Sequence, residues 1–214
     1  MITILELRDI SLLIGIWVAI YGIDSWRREH KGKREIELAE EVLALFYEAR
    51  DTIRYIRSPF SPAGECADIE KAPNETDSQW QARKNASVVF KRYDDRKELF
   101  NKIYAARYRF MAQVGTEEAQ PFDDLNIIVQ EIKTAAFMLA QLWPRDNFPN
   151  EEQLQRHLEQ VQQKEDIIWD SGAESDQIKL KIDDVITRIE KTCREIITGR
   201  GTLHALLNRP LRKK

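Results

Sequence analysis

The chain has 214 residues, of which 43% are hydrophobic and 32% are charged, and it holds only 8 glycines. This composition, with apolar residues at helical rather than strand spacing, predicts an all-α protein. The two cysteines, Cys66 and Cys193, are too far apart to match a metal or disulfide framework, which excludes a disulfide-rich secreted domain.

Charge is distributed unevenly along the chain, whose formal net charge is −3. Residues 1–26 carry −2, residues 27–34 carry +4 and residues 200–214 carry +5, which leaves −10 for residues 35–199. An acidic body therefore lies between two basic segments.

Residues 10–23 contain no ionisable side chain other than Tyr21 and lie between Asp9 and Asp24. A helix of this length rises about 21 Å, which is shorter than the roughly 30 Å hydrocarbon core of a bilayer. A buried helix, an interfacial helix or a signal peptide has runs of similar length. The net charge of −1 over residues 1–9 and the lack of a small-residue cleavage site argue against a signal peptide.

The placement of aromatic residues favours a membrane helix over these alternatives. Trp17, Tyr21 and Trp26 cluster toward the basic end of the run, and amphipathic rings of this kind prefer the headgroup region. Counting from Ile10 to Trp26 gives 17 residues, the lower limit for a spanning helix. We therefore predict a single transmembrane helix within residues 1–26, with a buried or interfacial helix as the alternative.

A basic cluster follows this segment and predicts its orientation. Its members are Arg27, Arg28, Lys31, Lys33 and Arg34. Because lysine and arginine stay on the cytoplasmic side, we expect the N-terminus outside, the bulk of the chain in the cytoplasm, and the protein in the cell's inner (plasma) membrane. The same cations are expected to contact anionic lipid headgroups.

Small residues repeat along one side of the predicted membrane helix. Ser11, Gly15 and Ala19 are four residues apart, and Gly22 lies close to the same face. Small residues at this spacing let two helix backbones approach closely. The stripe predicts a homo-oligomer, although glycine and alanine are also common in membrane helices that do not associate.

Five helical segments are predicted after the membrane helix, in a cytoplasmic domain of residues 27–199. Their approximate ranges are 27–57, 79–114, 121–143, 150–170 and 174–198. The first is expected to continue from the membrane helix, and short connections after the later helices predict antiparallel neighbours in a bundle. Whether the first helix stays unbroken at Gly22 and Gly32 is open at this point.

Residues 58–79 interrupt the helical periodicity and are rich in proline. A loop of this length in a compact domain is either functional or disordered, and we expect disorder here. The C-terminal tail, residues 200–214, combines leucines with cations, and either extends into solvent or lies on the membrane as a basic amphipathic segment.

No catalytic, metal or cofactor motif is found. The three histidines lack the Glu-x-x-His and His-x-x-x-His spacings of metal sites, and no glycine-rich phosphate loop is present. Cys66 lies between acidic residues, which predicts an unreactive surface thiol.

Basic and aromatic residues mix on the second predicted helix, the one feature typical of nucleic-acid binding. They are Lys91, Arg92, Tyr93, Arg96, Lys97, Lys102, Tyr104, Arg107, Tyr108 and Arg109. Because two of the tyrosines fall on the predicted core face and the surrounding body is acidic, we expect no nucleic-acid partner.

Two functions remain from the sequence. The first is a non-enzymatic interaction or scaffold protein, held in the membrane by its anchor, that recruits an unknown protein partner at the inner face. The second is an oligomerising membrane effector that alters permeability when its cytoplasmic bundle receives a signal.

Overall fold

The computed structural model describes residues 4–62, 64–145 and 147–199, and every regular element within them is helical, as the composition predicts. The α-helices are α1 (Ile4–Ile56), α2 (Asp77–Asp95), α3 (Lys97–Gln113), α4 (Gln120–Leu142), α5 (Glu151–Ile168) and α6 (Gln177–Gly199). A short 3₁₀ turn, Glu117–Ala119, precedes α4. Residues 1–3 and the predicted tail, 200–214, lie outside the described residues.

The first helix is continuous over 53 residues, which corresponds to about 80 Å. It passes through Gly22 and Gly32 without a break, so the predicted anchor and the first body helix are one element. Its second half supplies the centre of the bundle, where Leu38, Val42 and Phe46 are almost completely buried.

Among the described residues, no helix has a stretch that is both long and apolar enough to cross a bilayer.

The second predicted helix, expected over residues 79–114, is two helices, so that prediction was wrong in its continuity. The chain bends at Arg96, whose φ and ψ of −118° and 9° are not helical. The bend lets the buried face of α2 pack mainly on α4, while the buried face of α3 packs on α1. No proline or glycine marks the bend, so only this change of packing partner accounts for it.

Side chains that accept hydrogen bonds from the first turn define several helix starts. Thr76 and Gln79 form a capping box, in which the Gln79 amide donates to Thr76 Oγ1 at 3.2 Å and the Thr76 amide donates to Gln79 Oε1 at 2.9 Å. Asn150 Oδ1 accepts from the Gln153 amide at 2.9 Å. These polar residues end the loops and fix where α2 and α5 begin.

The core lies where three helices bring aromatic rings together. The Phe46 ring of α1 meets the Phe122 ring of α4 edge to face at 4.9 Å, and the Phe110 ring of α3 lies 5.4 Å from Phe122. All three side chains are at most 3% exposed. Aromatic pairs in such geometry stabilise a core beyond the area they bury.

Long-range contacts show that α1 runs antiparallel to α3 and that α4 runs antiparallel to α6, although neither pair is joined by one of the short connections for which the sequence predicts antiparallel neighbours. Arg109 of α3 pairs with Glu41 of α1 at 3.0 Å, whereas Arg96, just before α3, lies over the Tyr55 ring near the end of α1. In α6, Lys181 pairs with Glu131 of α4 and Arg188 pairs with Asp124. In both pairs of helices the residue numbers rise along one partner as they fall along the other.

One buried arginine joins three helices at the end of α1. Arg57, whose side chain is 2% exposed, donates to the carbonyl oxygens of Asp166, Ile167 and Trp169 at 2.8–3.0 Å, which are the free carbonyls at the end of α5. It also donates to Asp176 Oδ2 at 2.8 Å. Asp176 in turn accepts from the Lys179 amide in the first turn of α6.

Replacing Arg57 by methionine is expected to lower the free energy of unfolding by about 3–5 kcal/mol, because it leaves the buried Asp176 carboxylate unpaired. Urea unfolding of the full-length protein in detergent, followed by circular dichroism, measures this. Arg54→Met is the matched control, since Arg54 lies one turn earlier, is 61% exposed and has only a surface partner. That variant is expected to change stability by no more than about 0.5 kcal/mol. Equal effects of the two variants contradict the prediction.

The same pair predicts how stability depends on pH. Burial alone raises the pKa of Asp176, but the hydrogen bond and charge of Arg57, together with hydrogen bonds from the Lys179 and Ser171 amides, outweigh it and hold the pKa below the ordinary aspartate value. A carboxylate with a lowered pKa contributes stability that is complete above its unfolded pKa of about 4 and is lost as the pH falls through its folded pKa. The difference in the free energy of unfolding between the wild type and Arg57→Met should therefore become smaller below about pH 4.

Candidate membrane and partner interfaces

The first 31 residues of α1, residues 4–34, are here named the α1 arm. Its described hydrophobic side chains are between 56% and 66% exposed. They are Leu12, Ile14, Trp17, Val18, Tyr21, Ile23 and Trp26. Large apolar side chains exposed in such number mark a surface that contacts lipid or another protein surface.

These side chains point in all directions around the helix. Successive residues of an α-helix are rotated by about 100°, so Leu12, Trp17 and Val18 already cover three well-separated directions. Every described side chain from Leu12 to Lys31 is exposed, and none of them is packed against the bundle. An apolar arm without a preferred buried face is typical of a helix surrounded by lipid or by other helices.

Two aromatic pairs lie along the arm. The Trp17 and Tyr21 rings stack at 5.6 Å, and the Trp26 and His30 rings stack at 5.4 Å, each pair one helical turn apart. They form a ladder of amphipathic rings next to the basic cluster. This is the position that aromatic residues take at a membrane–water interface.

The predicted small-residue stripe lies on the exposed arm. Gly15, Ala19 and Gly22 are exposed, and a methyl group added at Gly15 or Gly22 would meet no atom within 4 Å. The side chain of Ser11 lies outside the described ones. The glycines therefore do not serve close packing within this chain.

The basic cluster lies on the last turns of the arm. Arg27, Lys31, Lys33 and Arg34 are exposed, whereas the Arg28 side chain lies outside the described ones. Lys31 and Lys33 have acidic neighbours one turn on, Glu35 and Glu37, each at 3.9 Å. Because both lysine side chains are more than 70% exposed, these pairs are weak and leave the cations accessible to anionic ligands.

A second buried arginine organises the segment after α1. Arg92 of α2, 1% exposed, donates to the carbonyl oxygens of Ser58 and Phe60, both at 2.6 Å. It also binds the Glu65 carboxylate through two nitrogens, at 2.6 and 2.9 Å. Arg57 and Arg92 with these partners are named the arginine clamp.

Further contacts fold the same segment onto α2. The indole of Trp80 donates to the Ile69 carbonyl at 2.9 Å, and Arg83 binds the Glu75 carboxylate at 2.7 and 2.8 Å. These contacts connect residues 58–62 and 64–79 to α2, and the disorder expected for residues 58–79 stays a prediction. Arg92 and Arg83 satisfy carbonyl and carboxylate groups that the segment cannot satisfy by itself.

The two cysteines are buried rather than reactive. Cys66 is 4% exposed and not the surface thiol that the sequence suggested, and Cys193 is 0% exposed. Burial raises the pKa of both thiols, that of Cys193 to about 12. Both therefore stay protonated at neutral pH.

Several cations of the predicted basic–aromatic helix form ion pairs within the fold. Lys91 pairs with Asp68, Arg107 with Asp123, and Arg109 with Glu41. Tyr93 and Phe100 stack on each other at 5.1 Å against the core. Within the described residues no group of histidine, cysteine, aspartate or glutamate side chains is arranged to hold a metal ion.

The clamp was not predicted from the sequence, in which Arg92 was noted only within the basic–aromatic mixture and neither Arg57 nor Asp176 was singled out. Arg92 had a signal, since it follows Val88 and Val89 on the apolar face of its helix, where an arginine needs an internal partner. Asp176 had one too, since an aspartate just before an apolar helix is a common N-cap. Their partners, Arg57 and Glu65, carry no local signal.

No protein-family model, curated protein sequence or solved structure matches this chain.

Replacing Glu65 by glutamine is expected to increase hydrogen exchange at the amides of Ala67 and Ile69 by about tenfold or more, because the buried Arg92 loses its counter-charge. These amides donate to the Gly64 and Cys66 carbonyls in the folded segment. Hydrogen–deuterium exchange with mass spectrometry on the full-length protein measures the effect. Glu70→Gln, an exposed carboxylate in the same segment, is the matched control and should leave exchange unchanged. Unchanged exchange in Glu65→Gln would show that Arg92 does not hold the segment.

Proposed function

We propose that this protein is a membrane-attached helical scaffold, in which the α1 arm is the anchor and the bundle recruits a protein partner at the inner face of the membrane. The observation that carries the proposal is the exposure of apolar side chains all around the arm, next to a bundle whose own core is complete. The arm and the central helix of the bundle are one unbroken helix. A partner bound to the bundle is therefore held at a defined place relative to the bilayer.

The proposed anchor spans the bilayer with the N-terminus outside. It is short, and the exposed Arg27 supports it by extending its cation to the headgroups while local thinning of the bilayer reduces the span. The cluster of cations in residues 27–34 favours the cytoplasmic side for the bundle. Attraction of each cation to anionic lipid contributes about 1 kcal/mol.

The course of α6 adds support from the fold. Tyr47 of α1 lies beside Glu190 and Arg194 of α6, whereas Arg57 meets Asp176, so α6 runs back toward the arm. The helix ends at Gly199, where the basic sequence 200–214 begins. α6 therefore ends at Gly199 at the same end of the bundle as the basic cluster of the arm, the end where the proposed membrane surface lies.

Cysteine labelling tests the anchor and its orientation. Thr3→Cys is expected to react with a membrane-impermeant maleimide in sealed right-side-out vesicles, whereas Lys97→Cys, on the exposed surface of the bundle, should react only after the vesicles are opened. The native cysteines give little background because both are buried and have raised pKa values. Alkaline carbonate should leave the protein in the membrane pellet.

Each failure of this experiment has a distinct meaning. Release by carbonate contradicts membrane insertion. Retention without labelling of Thr3→Cys in sealed vesicles contradicts the spanning orientation and assigns the arm to the inner surface, as an interfacial helix.

The second candidate function, an oligomerising effector that alters membrane permeability, is favoured by one observation. Gly15 and Gly22 are exposed and have open space around them, as a surface for a second helix requires. The two functions differ in what the protein binds. The scaffold binds a different protein through its bundle, whereas the effector binds further copies of itself through the arm.

Chemical crosslinking of the full-length protein in its native membrane, with and without Gly15→Leu, separates the two functions. The scaffold predicts an adduct with a different protein that Gly15→Leu leaves unchanged, because the bundle makes that contact. The effector predicts a homo-oligomer adduct that Gly15→Leu reduces at least severalfold, together with a change in membrane conductance. Mass spectrometry of the adducts identifies the species, and the absence of any adduct with another protein contradicts the scaffold.

A further inference from the structure

A groove lies beside the arginine clamp, between α2 and the end of α5, with a volume of about 610 Å³. Trp143, at the end of α4, and Trp169, at the end of α5, contribute aromatic rings to its wall, and Glu165 of α5 contributes a carboxylate. Gln81 and Asn85 of α2 form part of the opposite wall. The volume falls in the range of sites that hold a small ligand or a side chain.

Glu165 is held in place but not neutralised. Its Oε1 accepts a hydrogen bond from the Trp143 indole at 2.8 Å, which fixes the carboxylate on the groove wall. Among the described residues no lysine, arginine or histidine lies within ion-pair distance of it, whereas the clamp carboxylates Glu65 and Asp176 each have such a partner. A half-buried carboxylate with only a neutral donor has capacity for a cation.

The two tryptophans also favour a cationic ligand. Indole faces attract ammonium and guanidinium groups, and Trp169 lies one helical turn after Glu165, so an aromatic side chain flanks the carboxylate along α5. The Gln81 side chain donates to Asn85 at 2.8 Å, which leaves the Gln81 carbonyl oxygen and an Asn85 N–H available for a peptide backbone.

The surrounding charge also favours a cation. Residues 35–199 carry a net charge of −10, and an acidic body steers basic segments toward it. The two cations of the clamp, Arg57 and Arg92, are directed to carbonyl oxygens and to their own carboxylates rather than to Glu165.

We propose that this groove is the docking site of the partner, and that it takes a lysine or arginine side chain whose cation binds Glu165 between the two tryptophans. This inference rests on the proposed scaffold function and specifies the chemistry of the partner: a basic segment that enters the groove at the clamp end of the bundle. The clamp holds the ends of α1 and α5 and the start of α6 together, so the groove exists before the partner binds.

Titration of the full-length protein in detergent or nanodiscs tests the site. The probes are N-acetyl-lysine methylamide and N-acetyl-arginine methylamide, with N-acetyl-norleucine methylamide as the uncharged control of similar length. The indole N–H signals of the tryptophans in ¹⁵N NMR spectra report binding, since the Trp143 N–H is hydrogen-bonded to Glu165 itself. Substitution of each tryptophan by phenylalanine assigns the signals.

The cationic probes are expected to shift the Trp143 and Trp169 signals with saturation, and the norleucine probe to bind at least tenfold more weakly. Glu165→Gln keeps an acceptor for the Trp143 indole and removes the charge, and is expected to weaken binding of the cationic probes at least tenfold. Glu159→Gln, on the exposed side of the same helix, should leave binding unchanged.

Three outcomes overturn the proposal: equal binding of the lysine and norleucine probes, unchanged binding in Glu165→Gln, or at least tenfold tighter binding in a chain that ends at Gly199. The last would show that the basic tail of this chain fills the groove. The titration does not require an intact anchor, so a failed membrane assay with a saturating groove contradicts only the anchor. An unresponsive groove in a membrane-retained protein contradicts only the docking site.

Discussion

The buried guanidinium of Arg57 is the constraint on which the arrangement of this bundle depends. A cation that is 2% exposed is tolerated only when its donors are satisfied, and here three carbonyl oxygens and one carboxylate satisfy them. Those acceptors belong to the end of α5 and to the residue that caps α6. Any displacement of one helix leaves the charge unpaired, so the hydrogen bonds select one arrangement of the three helix ends.

Arg92 satisfies the carbonyl groups of the segment after α1 in the same way. The backbone of residues 58–60 ends a helix and cannot pair its own carbonyls, and Arg92 provides the donors from α2. The chain therefore uses two internal cations, rather than apolar side chains, to close the end of the bundle remote from the arm. The groove beside Glu165 is a consequence, since it forms between elements whose positions the two arginines determine.

The two halves of α1 differ in what surrounds them, although they are one helix. From Leu38 onward, apolar side chains recur at intervals of three and four residues along the helix, and they pack on α3 and α6. In the arm, apolar residues occupy all faces, and the basic residues that follow lie in the open. The proposed function follows from this contrast: the second half is buried within the bundle, and the first half is covered by none of the residues that the structure describes.

Local sequence determines that the elements are helices, which face of each helix is buried and where several helices begin, because apolar periodicity and capping residues act within one or two turns. Such patterns also locate the apolar run, the basic cluster and the acidic body. The bend at Arg96, the contacts between the segment after α1 and α2, and the clamp were decided only in three dimensions. Arg57 and Asp176 are 119 positions apart, and nothing local to either residue specifies the other. Their pairing depends on where packing of the apolar faces brings the helix ends, so only the tertiary structure determines which buried charges meet and that Glu165 has a neutral indole donor rather than a cation as its partner among the described residues.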